Sequence, residues 1–283
     1  KKTLYLIDAM AVIYRAFYAL NKNPRITSKG QNVSAVLGFC NTLLDIIKQY
    51  KPTHLGVAFD LQGPTFRHIQ YEQYKANRQA MPEEIREAIP IIKDIIQAMN
   101  IPILCKEGYE ADDVIGTLSK KAVTQGYEVF MVTPDKDYAQ LVEENIKMLR
   151  LGRGTSPNEI WGVEEVIQRF EITHPLQVID ILGLWGDSSD NIPGVPLIGE
   201  KKAKELIQQF SSIENILENS DKIESKSIRK TIEENKELAI QSKQLATIIT
   251  DVPIQFNEDE LAITQPDIQV CNKIFNELEF TTF

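Results

Sequence analysis

Three carboxylates crowd into four positions at Glu110, Asp112 and Asp113. They stand at the start of an apolar pattern over residues 111–122, whose spacing predicts an amphipathic helix. A helix dipole favours one or two acids in the first turn. Three acids at short range repel one another unless a cation lies between them. The stretch is therefore a candidate centre for a divalent-metal site.

Further carboxylates stand where other elements are predicted to end. Asp8 and Asp60 each follow a short apolar run that predicts a buried parallel strand, and Asp135 follows a third such run. In open α/β sheets, ligands bind at the carboxyl ends of the strands. The candidate metal ligands are Asp8, Asp60, Glu110, Asp112, Asp113, Asp135, Asp137, Asp187 and Asp190.

An all-oxygen ligand set selects hard cations, here Mg²⁺ or Mn²⁺. The set is larger than one octahedral Mg²⁺ would use, so it predicts two ions, the arrangement that serves in-line attack on phosphate esters. Taken singly, each acid has a simpler interpretation. Asp8 could cap the helix that follows it, and Asp137 could begin a capping box with Gln140.

Residues 65–86 depart from the α/β pattern and combine cations with aromatic rings. Phe66, Arg67, Tyr74, Lys75 and Arg78 suit phosphate contact and base stacking on a single strand. The alternative is an ordinary surface helix whose long cations cover apolar surface.

A glycine-punctuated segment follows Asp190 and leads into a lysine-rich helix start. Gly194, Gly199, Lys201 and Lys202 fit a hairpin that presents backbone N–H groups to a phosphate. An ordinary helix-turn-helix packing unit is the alternative.

Composition limits the class of protein. The 283 residues are 43% hydrophobic, enough for one large domain or one large and one small. No apolar run approaches the ~20 residues of a membrane span, and no signal peptide is recognisable. Three widely spaced cysteines indicate reduced thiols in a cytoplasmic protein. The net charge of −9 is unusual for a nucleic-acid binder, but the nine clustered acids account for it and leave basic residues free to form local patches.

These motifs together resemble the 5′-nuclease (flap endonuclease) family, most closely the 5′→3′ exonuclease domains of bacterial DNA polymerase I. The match runs through nearly the whole chain in order. The motifs that carry it are Leu6-Ile7-Asp8, Ala58-Phe59-Asp60, Phe66-Arg67, Tyr74-Lys75-Ala76-Asn77-Arg78, Gly108-Tyr109-Glu110-Ala111-Asp112-Asp113, Thr133-Pro134-Asp135-Lys136-Asp137, and Gly186-Asp187 through Gly199-Glu200-Lys201.

The resemblance implies a fold class and a domain plan. The fold is α/β, with a mostly parallel central sheet flanked by helices (PIN/resolvase-like), a helical arch, and a C-terminal helical subdomain with a helix-hairpin-helix. The nuclease core spans residues 1–173, with the arch at about 64–86. The helical subdomain spans 174–255, with the helix-hairpin-helix at about 187–210. Residues 256–283 form a trailing segment toward a domain that could follow.

The resemblance also implies roles for the candidate residues. One Mg²⁺ would be held by Asp8, Asp60, Glu110 and Asp112. The second would be held by Asp112 or Asp113 with Asp135, Asp137 and Asp190, and by Asp187 through water. Catalytic roles are implied for Tyr74, Lys75, Arg78 and Asp112, with Lys75 polarising the scissile phosphate. DNA contacts are implied for Arg15, Arg67, Lys75, Arg78, Gly194, Gly199, Lys201 and Lys202. A K⁺ ion is implied at the hairpin, where Leu197 and Lys202 replace the family's usual glycine and threonine.

The implied function is that of a structure-specific 5′ nuclease, a 5′→3′ exonuclease and 5′-flap endonuclease that removes primers and processes nicks during replication and repair. Its partners would be DNA with a 5′ flap, nick or 5′ end and a covalently attached polymerase domain, and the chain would act as a monomer. Two alternatives remain, an RNA-cutting PIN-like nuclease and a non-catalytic DNA-binding module.

Overall fold

Short apolar runs form a six-stranded sheet at the centre of the protein, which a computed structural model describes over residues 1–281. The strand order is β3-β2-β1-β4-β5-β6. The strands are β1 (Thr3–Asp8), β2 (His54–Ala58), β3 (Ile103–Leu104), β4 (Glu128–Val132), β5 (Ile146–Arg150) and β6 (Glu159–Trp161).

The sheet is parallel except for its last strand. β1 lies between β2 and β4, and β6 pairs antiparallel with β5. Asp8 at the end of β1 lies opposite Ala58 of β2, and Ile7 lies opposite Val132 of β4. The carboxyl ends of these three neighbouring strands therefore meet at one edge of the sheet, where ligands bind in folds of this kind.

Helices cover both faces of the sheet. Side chains alternate between the two faces along a strand, so Leu4 and Leu6 join one buried cluster and Tyr5 and Ile7 join the other. The α-helices are α1 (Ala9–Ala19), α2 (Ser34–Tyr50), α3 (Phe66–Gln70), α4 (Glu83–Ala98), α5 (Ala111–Thr124), α6 (Val163–Phe170), α7 (Gln177–Trp185), α8 (Glu200–Phe210), α9 (Ile213–Glu218), α10 (Lys226–Glu234), α11 (Lys236–Ala246), α12 (Glu258–Leu261) and α13 (Ile268–Glu277). Two 3₁₀ helices span Lys136–Leu141 and Ser220–Lys222.

Different helices cover the two faces of the sheet. Helices α1, α2, α4 and α13 share one cluster with one face of the sheet. Helix α5 and the helices from α6 to α11 share the other cluster with the opposite face. The predicted fold class, a mostly parallel sheet flanked by helices and followed by a helical part, is confirmed. No helix within residues 1–281 is long and apolar enough to cross a bilayer.

Two local predictions differ from the structure. The sequence predicts a helix over residues 161–170, but Trp161 belongs to the edge strand β6 and α6 begins only at Val163. Within the arch segment, only the short α3 and the first residues of α4, from Glu83, are helical, and residues 72–77 form turns. Lys75 adopts a φ of +56°, which breaks any regular helix there.

The C-terminal segment, predicted as a trailing segment, packs against the core of the protein. The Tyr127 hydroxyl donates to Glu258 at 2.5 Å, and the backbone N–H of Ile263 donates to the Thr53 carbonyl at 3.1 Å. Cys271, one turn before Phe275, places a buried face of α13 on the layer that contains α2 and α4. Positions 282 and 283 of the predicted segment lie outside the described residues.

Candidate active site

A cavity of about 460 Å³ opens at the carboxyl edge of the sheet. Its wall contains most of the predicted metal ligands together with two of the predicted arch cations. These lining residues are Asp8, Asp60, Glu110, Asp112, Asp135, Asp190, Lys75 and Arg78. The sheet topology thus brings together acids that are up to 182 positions apart in the sequence.

Asp8 and Asp60 are held by the elements that begin beside them. The Asp8 carboxylate caps α1 by accepting from Ala11 N–H, and it accepts from the Tyr138 hydroxyl at 3.0 Å. Asp60 accepts from Ala111 N–H at 2.8 Å, which ties the end of β2 to the start of α5. Burial, with repulsion from Asp60 and Asp135, raises the pKa of Asp8 to about 7.

The first turn of α5 and its N-cap carry the three crowded acids Glu110, Asp112 and Asp113. Glu110 caps the helix and pairs with Lys75 Nζ and with Arg67, while the Tyr74 hydroxyl donates to it at 3.0 Å. Burial alone would raise the pKa of Glu110, but the two cations outweigh it and hold that pKa below its usual range. Asp112 has a buried Oδ1 without a hydrogen-bond partner, and burial beside Glu110 raises its pKa well above the usual value.

A second acidic group follows β4 and α7. Asp137, Asp187 and Asp190 each offer an oxygen within 4.8 Å of the others, as Glu110, Asp112 and Asp113 do in the first group. The buried Oδ1 of Asp137 has no hydrogen-bond partner, although Lys136 Nζ lies 3.7 Å from it.

Asp135 and Asp187 are ordered by neighbouring groups. Asp135 accepts from Asp137 N–H at 2.9 Å, and Asp187 accepts from the Ser189 hydroxyl at 2.6 Å. Burial raises the pKa of Asp137 well above its usual value, with repulsion from Asp135 as the next cause. The second group is therefore crowded with negative charge, as the first is.

The donor set fits divalent cations of the Mg²⁺ and Mn²⁺ type. It consists of oxygens, and each group has one buried carboxylate oxygen that no protein donor satisfies. A buried carboxylate without a partner is costly in free energy, and a hard cation removes that cost. The residues present can thus hold divalent ions in two places.

Arg67 and Asp113 pair with each other, which does not fit the DNA contact and the metal-ligand role predicted for them. Asp113 is fully buried, and Arg67 donates to its two oxygens from two terminal nitrogens, at 2.8 Å each. Asp113 also accepts from the backbone N–H groups of Glu110 and Ile249, which leaves it no free lone pair for a metal. Although Asp113 is near the other acids, its predicted role as a ligand needs correction. Arg67 is 2% exposed, so its predicted DNA contact needs correction too.

The arch cations lie against both acidic groups. Lys75 Nζ pairs with Glu110, and Arg78 donates to Asp190 at 2.5 Å. The Lys75 backbone N–H also donates to the Asp190 carbonyl at 2.8 Å. Tyr74 is 4% exposed and donates to Glu110, so it positions that carboxylate and does not face the cavity.

Arg15 and the hairpin lie away from the cavity wall. Arg15 has a buried Nε without a partner, and burial and the nearby Arg153 lower its pKa.

Gly194 has a φ of +63°, and a Cβ there would lie 2.5 Å from the backbone nitrogen of Gly186. This close approach explains why a glycine stands at that turn.

The rest of the hairpin is less regular than the motif suggests. Leu197, at the position where the resemblance implies glycine, adopts a φ of +72° and is 76% exposed. Gly199 precedes α8 as its N-cap, Lys201 is exposed, and Lys202 Nζ donates to Glu205 at 2.8 Å.

Three tyrosines were missed as members of the site. Tyr14 and Tyr18 line the cavity, and their ring centroids are 6.3 Å apart. Their spacing of four residues on the helix that follows Asp8 could have indicated this. Tyr138 is fully buried and donates to Asp8, but nothing in its sequence neighbourhood distinguishes it from a core residue.

Fold and site define a class: a resolvase-like α/β domain with an acidic centre at the carboxyl edge of its sheet, joined to a helical domain. A family model described as the 5′-3′ exonuclease N-terminal resolvase-like domain matches residues 3–171. A second, the 5′-3′ exonuclease C-terminal SAM fold, matches residues 173–269. The chain belongs to the 5′-3′ exonuclease family.

Curated relatives are DNA polymerase I proteins. That of Bacillus caldotenax is 40% identical over 284 residues, which cover 100% of this chain and 32% of the relative. That of Bacillus subtilis (strain 168) is 41% identical over 283 residues, again 100% of this chain and 32% of the relative. The chain thus spans about a third of the length of the relatives it matches.

Solved structures with the same fold include nucleases. A crystal structure of the T5 D15 protein co-crystallised with metal ions has a TM-score of 0.74 at 18% identity, covering 98% of this chain and 100% of that one. The catalytic core of Rad2 in complex with DNA substrate has a TM-score of 0.65 at 14% identity, covering 99% and 88%. At these identities the likeness establishes the fold.

Proposed function

We propose that this chain hydrolyses phosphodiester bonds of DNA near a 5′ end, as a 5′→3′ exonuclease and 5′-flap endonuclease that uses two Mg²⁺ or Mn²⁺ ions. One observation carries the proposal: acids of two groups and the cations Lys75 and Arg78 line the same cavity. Membership of the 5′-3′ exonuclease family supports it, and Rad2, which shares the fold, is described with a DNA substrate.

Each of the two acidic groups, without Asp113 and together with the acids beside it, would hold one ion. The first would be bound by Asp8, Asp60, Glu110 and Asp112. The second would be bound by Asp135, Asp137, Asp187 and Asp190. When bound, the ions would supply acidity to an attacking water and stabilise the charge that develops on the leaving 3′ oxygen.

The chain's own side chains would bind and orient the DNA. Lys75 and Arg78 line the cavity, and each would pair with a phosphate oxygen of the strand to be cut. The rings of Tyr14 and Tyr18 line the same cavity and offer faces on which unpaired bases can stack.

The rest of the substrate would lie along the C-terminal helical part. The hairpin from Gly194 to Lys202 would contact the sugar-phosphate backbone of the duplex, with the exposed Lys201 supplying charge. We also propose a K⁺ ion at this hairpin, activity as a monomer, and roles in primer removal and nick processing. We further propose that a polymerase domain is attached to this chain, which the identity of the relatives supports.

The test is a cleavage assay on a duplex with a single-stranded 5′ flap, labelled at the flap end, with Mg²⁺ or with a chelator. We expect cleavage near the flap junction only with Mg²⁺, and a loss of cleavage in Asp112→Asn. Asp251→Asn is the matched control, because Asp251 is an exposed acid outside both groups. Normal turnover by Asp112→Asn, or equal cleavage with chelator, would contradict the proposal. Preferential cleavage of an RNA flap would favour an RNA-cutting nuclease.

A further inference from the structure

One buried arginine connects the candidate metal site to the C-terminal helical part. Arg67 is 2% exposed, and all five of its N–H groups have acceptors. Nε donates to the Leu245 carbonyl at 3.1 Å, and one terminal nitrogen donates to the Thr247 carbonyl at 2.8 Å. The remaining N–H groups donate to Asp113 and Glu110. A surface cation would not be enclosed in this way.

Asp113 is equally saturated. Besides its two bonds from Arg67, it accepts from Glu110 N–H at 3.0 Å and from Ile249 N–H at 2.8 Å. An ionised carboxylate has about four lone-pair sites, so these four donors fill it. Asp113 therefore orients the groups that donate to it and has no oxygen lone pair left for a metal ion.

We propose that Arg67 and Asp113 are positioning residues that hold Glu110 and Asp112 in the geometry that binds a metal ion. The Glu110 carboxylate accepts a hydrogen bond from Arg67, and Asp112 precedes Asp113 on the same helical turn. Both carboxylates that pair with Arg67 thus lie in the turn that carries the proposed ligands. The identity of the site as a metal centre rests on the proposed function.

The same pair reaches the helical part of the chain. The carbonyls of Leu245 and Thr247 and the N–H of Ile249 all belong to the segment at and just after the end of α11. The position of this segment and the position of the ligand turn are therefore set by one ion pair. The proposal predicts that a substitution of Arg67 lowers the affinity for the metal ion, although no atom of Arg67 could be a ligand.

The test is Arg67→Lys, which keeps the positive charge and loses the two-nitrogen contact. Mn²⁺ binding is titrated calorimetrically without DNA, and kcat and KM are measured on the flap duplex. Loss of a group that orients a metal ligand weakens metal binding by about 10- to 100-fold, so we expect Mn²⁺ affinity at least 10-fold lower. We expect kcat to fall while KM for DNA changes less than about twofold.

A matched control separates positioning from stability. Asp180 is 5% exposed, and it accepts from Lys243 Nζ at 2.7 Å and from Ile213 N–H at 3.0 Å in the helical part. Asp180→Asn therefore also weakens a buried ion pair. We expect it to lower the melting temperature and to leave Mn²⁺ affinity unchanged. If Arg67→Lys does not fold, Asp113→Asn, which keeps the size of the side chain, is measured instead with the same expectation.

The outcomes are distinct. Parent-like Mn²⁺ affinity in Arg67→Lys or Asp113→Asn would overturn the proposal, as would an equal weakening in Asp180→Asn. A raised KM with unchanged kcat would show that Arg67 contacts DNA. A parent chain that binds Mn²⁺ but cleaves no flap would overturn the proposed function alone, since the titration needs no DNA. A parent chain that binds no Mn²⁺ would overturn both.

Discussion

Replacing Leu197 by glycine should stabilise the protein. Leu197 holds a φ of +72°, in the left-handed region, and its side chain is 76% exposed. A left-handed conformation costs a residue with a Cβ roughly 1–2 kcal/mol. Glycine gives back about 0.4–1 kcal/mol through the greater freedom of the unfolded chain. Little buried apolar area is lost, so the expected net gain is about 0.5–1 kcal/mol.

Thermal unfolding followed by circular dichroism measures this gain. For a chain of this size, 1 kcal/mol shifts Tm by about 2–4 °C, so Leu197→Gly should melt about 1–4 °C higher than the parent. Leu176→Gly is the control, because Leu176 is also an exposed leucine, at 56%, but has an ordinary φ of −59°. Because Leu176 needs no left-handed backbone, we expect the control to gain nothing from glycine and to melt at or below the parent. Leu197→Gly melting at or below the parent would refute the strain argument.

Other predictions address the turn and the charges of the site. Gly194→Ala should lose about 1–3 kcal/mol of stability by thermal unfolding, because its Cβ would meet backbone at a positive φ, whereas Gly199→Ala has open space and should be nearly neutral. Lys75→Met should bind Mn²⁺ more tightly in calorimetry without DNA, because the ammonium that competes for Glu110 is gone, and yet cleave flap DNA more slowly; unchanged affinity would contradict this. Mg²⁺ should raise the melting temperature of the parent and raise that of Asp112→Asn much less, because a bound cation relieves the repulsion among the crowded carboxylates. An equal rise of the melting temperature in both proteins would contradict this prediction.

The sequence alone was sufficient for the architecture and the place of the site. Buried strands are recognisable as short apolar runs, and the acids that follow them fall at one edge because parallel strands share a direction. Asp8, Asp60 and Asp135 meet at the cavity for this reason. The motif order then indicated the family, which the family models confirm.

The sequence could not separate the acids that are proposed to bind metal from an acid whose oxygens are taken up by hydrogen bonds within the fold. Asp112 and Asp113 are adjacent and chemically identical, and only the tertiary packing of Arg67 and of Ile249 decides that Asp113 is saturated. Likewise, a few apolar side chains pack α13 on the core. They stand in an acidic segment, so its sequence did not predict this packing. Long-range partners of this kind leave no local pattern.

The central claim is that the two acidic groups hold two divalent ions. Anomalous diffraction from a crystal of the protein soaked in Mn²⁺ tests it most directly. We predict two peaks at the carboxyl edge of the sheet, one at about 2.0–2.3 Å from oxygens of Glu110 and Asp112 and one at that distance from oxygens of Asp137 and Asp190, with none on Asp113. A single peak, a peak bound to Asp113, or no peak at this edge would contradict the account.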